Sequence, residues 1–307
     1  MPEFAIRPAH EILWSISYLQ MRDTIVIRQG QRERDHNLAT RAAKIREETA
    51  TQNLVIRLAL AAEADPRFTC GAIFHSRNLE KSSGADLELS IRRGSQWLNL
   101  VLQAKLLHPP KSKTGPWSYI GWDSKQNSDL IQWCRNESQR QKVEFTPGML
   151  LYNHPVDEIE KATHLDPFGQ CYLAHSYVSP KTWASMTHTS MFGWSPYWHS
   201  PVYWGTPAGI SLCLDQNLMT AGKVPTLKDL TAVHFPIEHL AHLDRCCLGS
   251  EDSAIGRWTR GIGAENGPDW AMQLLDGAPA SQVETRVEYA PEFQPAASVV
   301  IDLDPRF

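Results

Sequence analysis

Apolar and polar positions alternate most regularly between Ser83 and His108. Leu87, Leu89 and Ile91 alternate with Asp86, Glu88 and Ser90; after a break, Leu98, Leu100, Leu102 and Ala104 alternate with Asn99, Val101, Gln103 and Lys105. A period of two predicts a pair of β-strands with one apolar face. Arg93-Gly94-Ser95 supplies the turn, because glycine tolerates the positive φ of a tight hairpin. Counting outward from Gly94 sets Asp86 opposite the region of Leu102 and Gln103. One polar face then gathers Asp86, Glu88, Gln103 and Lys105, a set of acids, an amide and a lysine suited to holding a cation and a water.

The flanking pattern changes period. Residues 9–29 read as helix, with Ile12, Leu13, Ile16, Leu19 and Ile27 apolar. A second helix is predicted over 35–64, with Ile45, Leu54, Ile56, Leu58 and Leu60 on its buried side, stopping at Asp65-Pro66. Phe68 to His75 is a short apolar strand. The loop from His108 to Pro116 is broken by Pro-Pro and Gly-Pro and carries Lys111 and Lys113. Asp123 to Lys142 reads as helix and Pro147 to Tyr152 as strand. Beyond it, Cys171–Val178 and Ile210–Leu214 read as strands, and Thr226–Leu248 as helix with Pro236 near a helix start. Residues 277–307 read as an extended tail with one short strand at Val299-Val300-Ile301. The predicted organisation is an N-terminal helical segment (1–40), a core (41–155), an α+β extension (156–279) and an acidic tail (280–307).

Composition narrows the class. Hydrophobic residues make up 42% of the 307, enough for a substantial core. No apolar run of about 18 residues occurs and the N-terminus has no signal-like apolar segment, so a soluble cytoplasmic protein without a membrane partner is expected. The six cysteines show no C-x-x-C spacing, which argues against a zinc ribbon. Net charge is −4, but residues 1–150 carry +5, residues 151–249 carry −3 and residues 250–307 carry −6. The half that holds the hairpin is therefore basic, compatible with tracking a phosphate backbone. Arg92, Arg93, Lys111 and Lys113 are the candidate nucleic-acid contacts.

Gly84-Ala85-Asp86 followed by a strand ending Gln103-Ala104-Lys105 resembles the PD-(D/E)XK, or restriction-endonuclease-like, nuclease superfamily, in its Mrr-like variant with Gln at the second acidic position. Glu48 upstream and the LLYN stretch at 150–153 downstream fit the same layout, and the likeness covers roughly 41–153. It implies an α/β fold with an αβββαβ core, a mixed sheet flanked by helices, and the predicted element order agrees. It also implies metal-dependent hydrolysis of DNA, plausibly in bacterial restriction or anti-phage defence, with Mg²⁺ or Mn²⁺ as cofactor. Asp86 would be the main metal ligand, Gln103 a weaker one and Lys105 the residue that holds the attacking water. Glu48 would be the additional acid, with Glu47 as its alternative. Because Gln103 brings no charge, Glu88 is a candidate to compensate. The same site would serve an RNA or tRNA nuclease, and a nuclease fold that binds nucleic acid without cutting it is the other alternative. A homodimer is compatible with all of these.

Other clusters compete less well. His239, His242 and Cys246 have spacing for a shared metal but lack the acid of a zinc-protease motif, so partly buried helix histidines are the simpler reading. The aromatic stretch Phe192–Trp204 fits either a ring-rich cover over the core or a base-stacking loop. No phosphate-binding glycine motif and no nucleophile elbow is found.

Overall fold

The hairpin forms in the expected register. Leu87–Arg93 pairs antiparallel with Gln96–His108, Leu87 facing Leu102 and Arg93 facing Gln96. Gly94 takes φ +59° at the first central position of the turn, and Ser95 keeps a negative φ, the pattern of a type II′ turn.

The computed structural model describes residues 9, 12–13, 15–17, 19–20, 47–66, 68–75, 85–108, 118–119, 121–153, 209–230, 234–241, 254–283 and 295–303. In chain order these give α1 (Glu47–Ala64), β1 (Thr69–Phe74), β2 (Leu87–Arg93), β3 (Gln96–His108), β4 (Ser118–Tyr119), α2 (Ser124–Gln141) and β5 (Phe145–Tyr152). Then follow β6 (Ile210–Cys213), α3 (Gln216–Met219), α4 (Leu227–Leu230), β7 (His234–Pro236), α5 (Ala254–Thr259), α6 (Asp269–Leu275) and β8 (Ala297–Asp302). The fold is mixed α/β. Seven strands lie in the order β1-β8-β2-β3-β5-β6-β7, with β4 paired to β3. Strand pairs β2–β8 and β3–β5 are parallel; the other neighbours are antiparallel. No described helix is long and apolar enough to cross a membrane.

Each face of the hairpin meets a helix. The leucine face of β2 and β3 packs with Ala50, Leu54, Val55 and Leu58 of α1 and with Val299 and Ile301 of β8. On the other face, Val101 and Leu107 join Leu130, Ile131, Trp133 and Cys134 of α2 and Phe145, Met149 and Leu151 of β5. Toward β8, Trp97 and Val300 pack with Trp270 and Ala271 of α6. Helix α2 has well-defined ends: the Asp123 carboxylate accepts from the backbone N–H groups of Lys125 and Gln126, and Lys142 closes the helix at φ +56°. It carries the chain from β3 over to parallel β5, as such pairing requires.

Four expectations are corrected. Residues 297–302 are not part of an extended tail. β8 is buried along its whole length between β1 and β2, so the β1–β2 contact of a simple αβββαβ meander is split by a strand from the far end of the chain. The domain division at 155 also goes, because β6, β7 and β8 complete the same sheet as the N-terminal strands. On α1, Ile56 and Leu60 are exposed rather than buried. The stretch 226–248 is not one helix: α4 ends at Leu230, Phe235 of β7 enters the core, and a short 3-10 helix follows at Ile237–Ala241. Residues 28–46, 67, 111, 113, 171–178, 192–204, 242 and 246 lie outside the described residues, and with them the predicted start of the second helix, both loop lysines, the aromatic stretch and most of the His/Cys cluster.

Arg92 and Arg93 are also placed differently from expectation. The Arg92 guanidinium forms a two-point ion pair with Asp302 of β8, and it lies 6.0 Å from the Trp97 ring. Arg93 stacks 4.1 Å over the Trp258 ring and donates to the Trp258 carbonyl. Both cations are thus committed to the fold, at the turn end of the hairpin. Seven residues of strand, about 23 Å, separate Arg93 from Asp86. Replacing Arg92 by Ala leaves the Asp302 carboxylate, 3% exposed, without its cation. A stability loss of about 3 kcal/mol is expected in urea unfolding, whereas a free phosphate-contacting arginine would cost almost nothing.

Candidate active site where β2 and β3 part

Strand β3 outruns its partner. Pairing with β2 ends at Leu87–Leu102, while β3 continues beside β5 to the Leu106–Tyr152 pair and meets β4 at Leu107–Tyr119. Beyond Leu102, the β3 edge that faced β2 needs other acceptors for its backbone N–H groups. Two carboxylates supply them. Asp86, just before β2, accepts from Ala104 N at 2.7 Å, and Glu47, in the first turn of α1, accepts from Leu106 N at 3.2 Å. The parting of two strands therefore sets two acids side by side.

Lys105 lies between these two amides in sequence. Its side chain is buried (6% exposed), and Nζ stands 3.8 Å from Glu47 Oε2. The loop before α2 also passes close by. Gly121 has φ +81°, and a Cβ there would come within 4.0 Å of the ammonium.

Electrostatics mark the site as short of positive charge. Burial pushes the Asp86 carboxyl up to about 6; the Ala104 N–H and the Lys105 ammonium oppose this, while Glu47 and Glu48 reinforce it. Burial also raises Glu47, against the pull of Lys105 and the Leu106 N–H, and Glu48 adds to the rise. Two carboxylates thus share one ammonium, while the Glu48 charge bears on both. Of the two adjacent acids, Glu47 makes the contacts; Glu48 is exposed and acts through its charge.

Gln103 shares the Lys105 face of β3 by alternation and is 2% exposed. Its Nε2 donates to Gln126 Oε1 on α2, and its own Oε1 is buried with no hydrogen-bond partner. A neutral oxygen left without a donor, on the face of β3 that also carries Lys105, suits a hard divalent cation such as Mg²⁺, which takes oxygen ligands and keeps several waters. Asp86, Glu47 and Gln103 Oε1 therefore fit such an ion. Among the described residues no cluster of three or more His, Cys, Asp or Glu is placed to hold one, so the amide and water would have to complete the shell.

Glu88 does not belong to this set. It is fully buried, one oxygen accepting from Trp270 Nε1 at 3.0 Å and the other from Ser298 Oγ at 3.2 Å. Ser298 Oγ is also 2.8 Å from His75 Nε2, and burial pushes that imidazole down to about 4. The acid joins β2, β8 and α6 rather than compensating for Gln103.

Three supporting residues escaped the sequence reading. The Tyr152 hydroxyl donates to Thr51 Oγ1 at 3.0 Å, and Thr51 Oγ1 donates to the Glu47 carbonyl at 3.0 Å. This chain ties β5 to the first turn of α1 and so places Glu47; Gln126 does the same for Gln103 from the other side. Only the LLYN stretch hinted at Tyr152. Its neighbour Asn153 accepts from the Tyr119 hydroxyl and donates to Ser211 Oγ at 2.9 Å, pinning β4 and β6 to the end of β5.

No curated protein and no solved structure matches the chain. A protein-family model does: it spans residues 24–298, taking in every residue of the site just described, and the chain belongs to that family, described as a family of unknown function (DUF6615).

Proposed function

We propose that the chain is a divalent-cation-dependent endonuclease of the PD-(D/E)XK, Mrr-like kind, hydrolysing phosphodiester bonds of DNA. The observation that carries this reading is the convergence of Asp86 and Glu47 on the open edge of β3, with Lys105 between them and Gln103 Oε1 unpartnered. Burial raises both acids and the single Lys105 ammonium offsets this only in part, so a divalent cation would stabilise the pair.

Asp86 and Glu47 would hold the ion, with Gln103 Oε1 as a neutral third oxygen. When bound, the ion lowers the pKa of water and draws charge from the phosphate oxygens. The chain's own residues do the rest. The Lys105 ammonium, held by Glu47, orients the attacking water and offsets the negative charge that grows on the non-bridging oxygens. Water oxygen adds to phosphorus as the phosphorus–sugar oxygen bond breaks, so one water yields a phosphomonoester and a free hydroxyl.

The test is incubation of the purified chain with plasmid DNA and with total RNA, in Mg²⁺, Mn²⁺ or EDTA. Cleavage of the plasmid that EDTA abolishes is expected. Cleavage of RNA alone would replace DNA as substrate, and no cleavage of either in any metal would remove the hydrolytic reading.

A pH dependence follows from Asp86. With its carboxyl raised to about 6, the ionised form that holds a cation is present above that pH. Cation affinity should fall roughly tenfold per unit below it as protons compete. Stability runs the other way: a raised acid favours the folded state at pH below its unfolded value and loses that contribution as pH rises through about 6. The metal-free protein should therefore gain stability from this group as pH falls from 7 to 5, and Mn²⁺ should raise the melting temperature at pH 7.5 more than at pH 5. Equal Mn²⁺ shifts at both pH values would contradict the assignment.

A further inference from the structure

We infer that Gln126, on the first turn of α2, is a positioning residue that turns the Gln103 amide so that its oxygen, and not its NH₂ group, faces the metal-binding acids. This rests on the hydrolytic reading above. A glutamine side chain presents an acceptor on one side and a donor on the other, and rotation by half a turn exchanges them. Only the oxygen can serve a cation; the NH₂ group would repel it. Something must select the orientation, and the choice matters most where the side chain is buried, as Gln103 is.

Gln126 Oε1 makes that selection. It accepts from Gln103 Nε2, which leaves Gln103 Oε1 as the unpartnered atom. The backbone N–H of Gln126 donates to the Asp123 carboxylate that caps α2, which fixes where on the helix this acceptor starts. The arrangement also explains why an uncharged residue at 103 can contribute to a cation site. A carboxylate there would be symmetric and need no such partner, whereas an amide does.

The test is a double-mutant cycle read by calorimetric titration of the full-length chain with Mn²⁺, without substrate. Gln103→Leu and Gln126→Leu should each weaken Mn²⁺ binding roughly tenfold, and the double variant should bind no more weakly than Gln103→Leu alone, because the effect of Gln126 runs through the Gln103 amide. Gln126→Glu, an acceptor of the same shape, should bind Mn²⁺ at least as tightly as the parent; in the Gln103→Leu background that substitution measures the effect of its added charge alone. Parental affinity in Gln126→Leu, or additive losses in the double variant, would overturn the inference. Failure of the hydrolytic reading is separately visible: the parent would then bind Mn²⁺ no better than Asp86→Ala.

Discussion

A chain ended at residue 290 is expected to be insoluble or unfolded. Removal of β8 takes the strand between β1 and β2 out of the sheet and opens two edges at once. Burial of Val299, Val300 and Ile301 contributes about 6 kcal/mol by itself, at about 2 kcal/mol for each side chain. Arg92 loses its carboxylate, and Glu88 loses one of its donors. A native domain is stable by only about 5–15 kcal/mol, so the loss is of the order of the whole. Expression yield and far-UV circular dichroism of the truncated chain check this. A soluble product with the parent spectrum would mean that β8 is not a core strand.

That strand shows where the sequence is hard to read. β2 and β3 are legible because they bury a leucine face against α1 and place polar groups on the other side, which leaves a period of two. β8 is buried on both faces, and its six residues carry no alternation. Its last residue, Asp302, looks like a solvent-exposed acid because its partner Arg92 lies 210 positions earlier. Helix α2 is legible for the opposite reason: Asp123 and Lys142 mark its ends locally. At α1 the error is one of phase. Ala50, Thr51, Leu54, Val55 and Leu58 define the buried stripe, and Glu47, one turn before Thr51, continues it toward Lys105. Reading Ile56 and Leu60 into that stripe rotates the helix and brings Glu48 forward instead. The basic balance of the first half likewise suggested free phosphate contacts at Arg92 and Arg93, yet each guanidinium has an aromatic ring and a backbone or carboxylate partner inside the fold. Charge counts do not carry that information.

Replacing Asp86 or Lys105 by Ala is expected to abolish DNA cleavage, each by about 3 orders of magnitude, which corresponds to roughly 4 kcal/mol of barrier. The two losses should have different origins. Asp86→Ala removes the carboxylate that accepts from Ala104 N and would hold the cation, so Mn²⁺ binding should be lost together with turnover. Lys105→Ala removes the ammonium that faces the water and the phosphate, so turnover should be lost while Mn²⁺ still binds. Removal of that ammonium also takes the partner from Glu47, so a lower urea midpoint is expected, but the leucine face is untouched and both variants should retain cooperative unfolding.

The most direct test of a single metal-dependent site built by Asp86, Glu47 and Lys105 is therefore single-turnover cleavage of plasmid DNA by Lys105→Ala at saturating Mn²⁺, with Mn²⁺ affinity measured on the same preparation. The account requires a rate about 1,000-fold below the parent with Mn²⁺ affinity retained within a few-fold. Cleavage at the parent's rate would place the chemistry away from Lys105 and contradict the account.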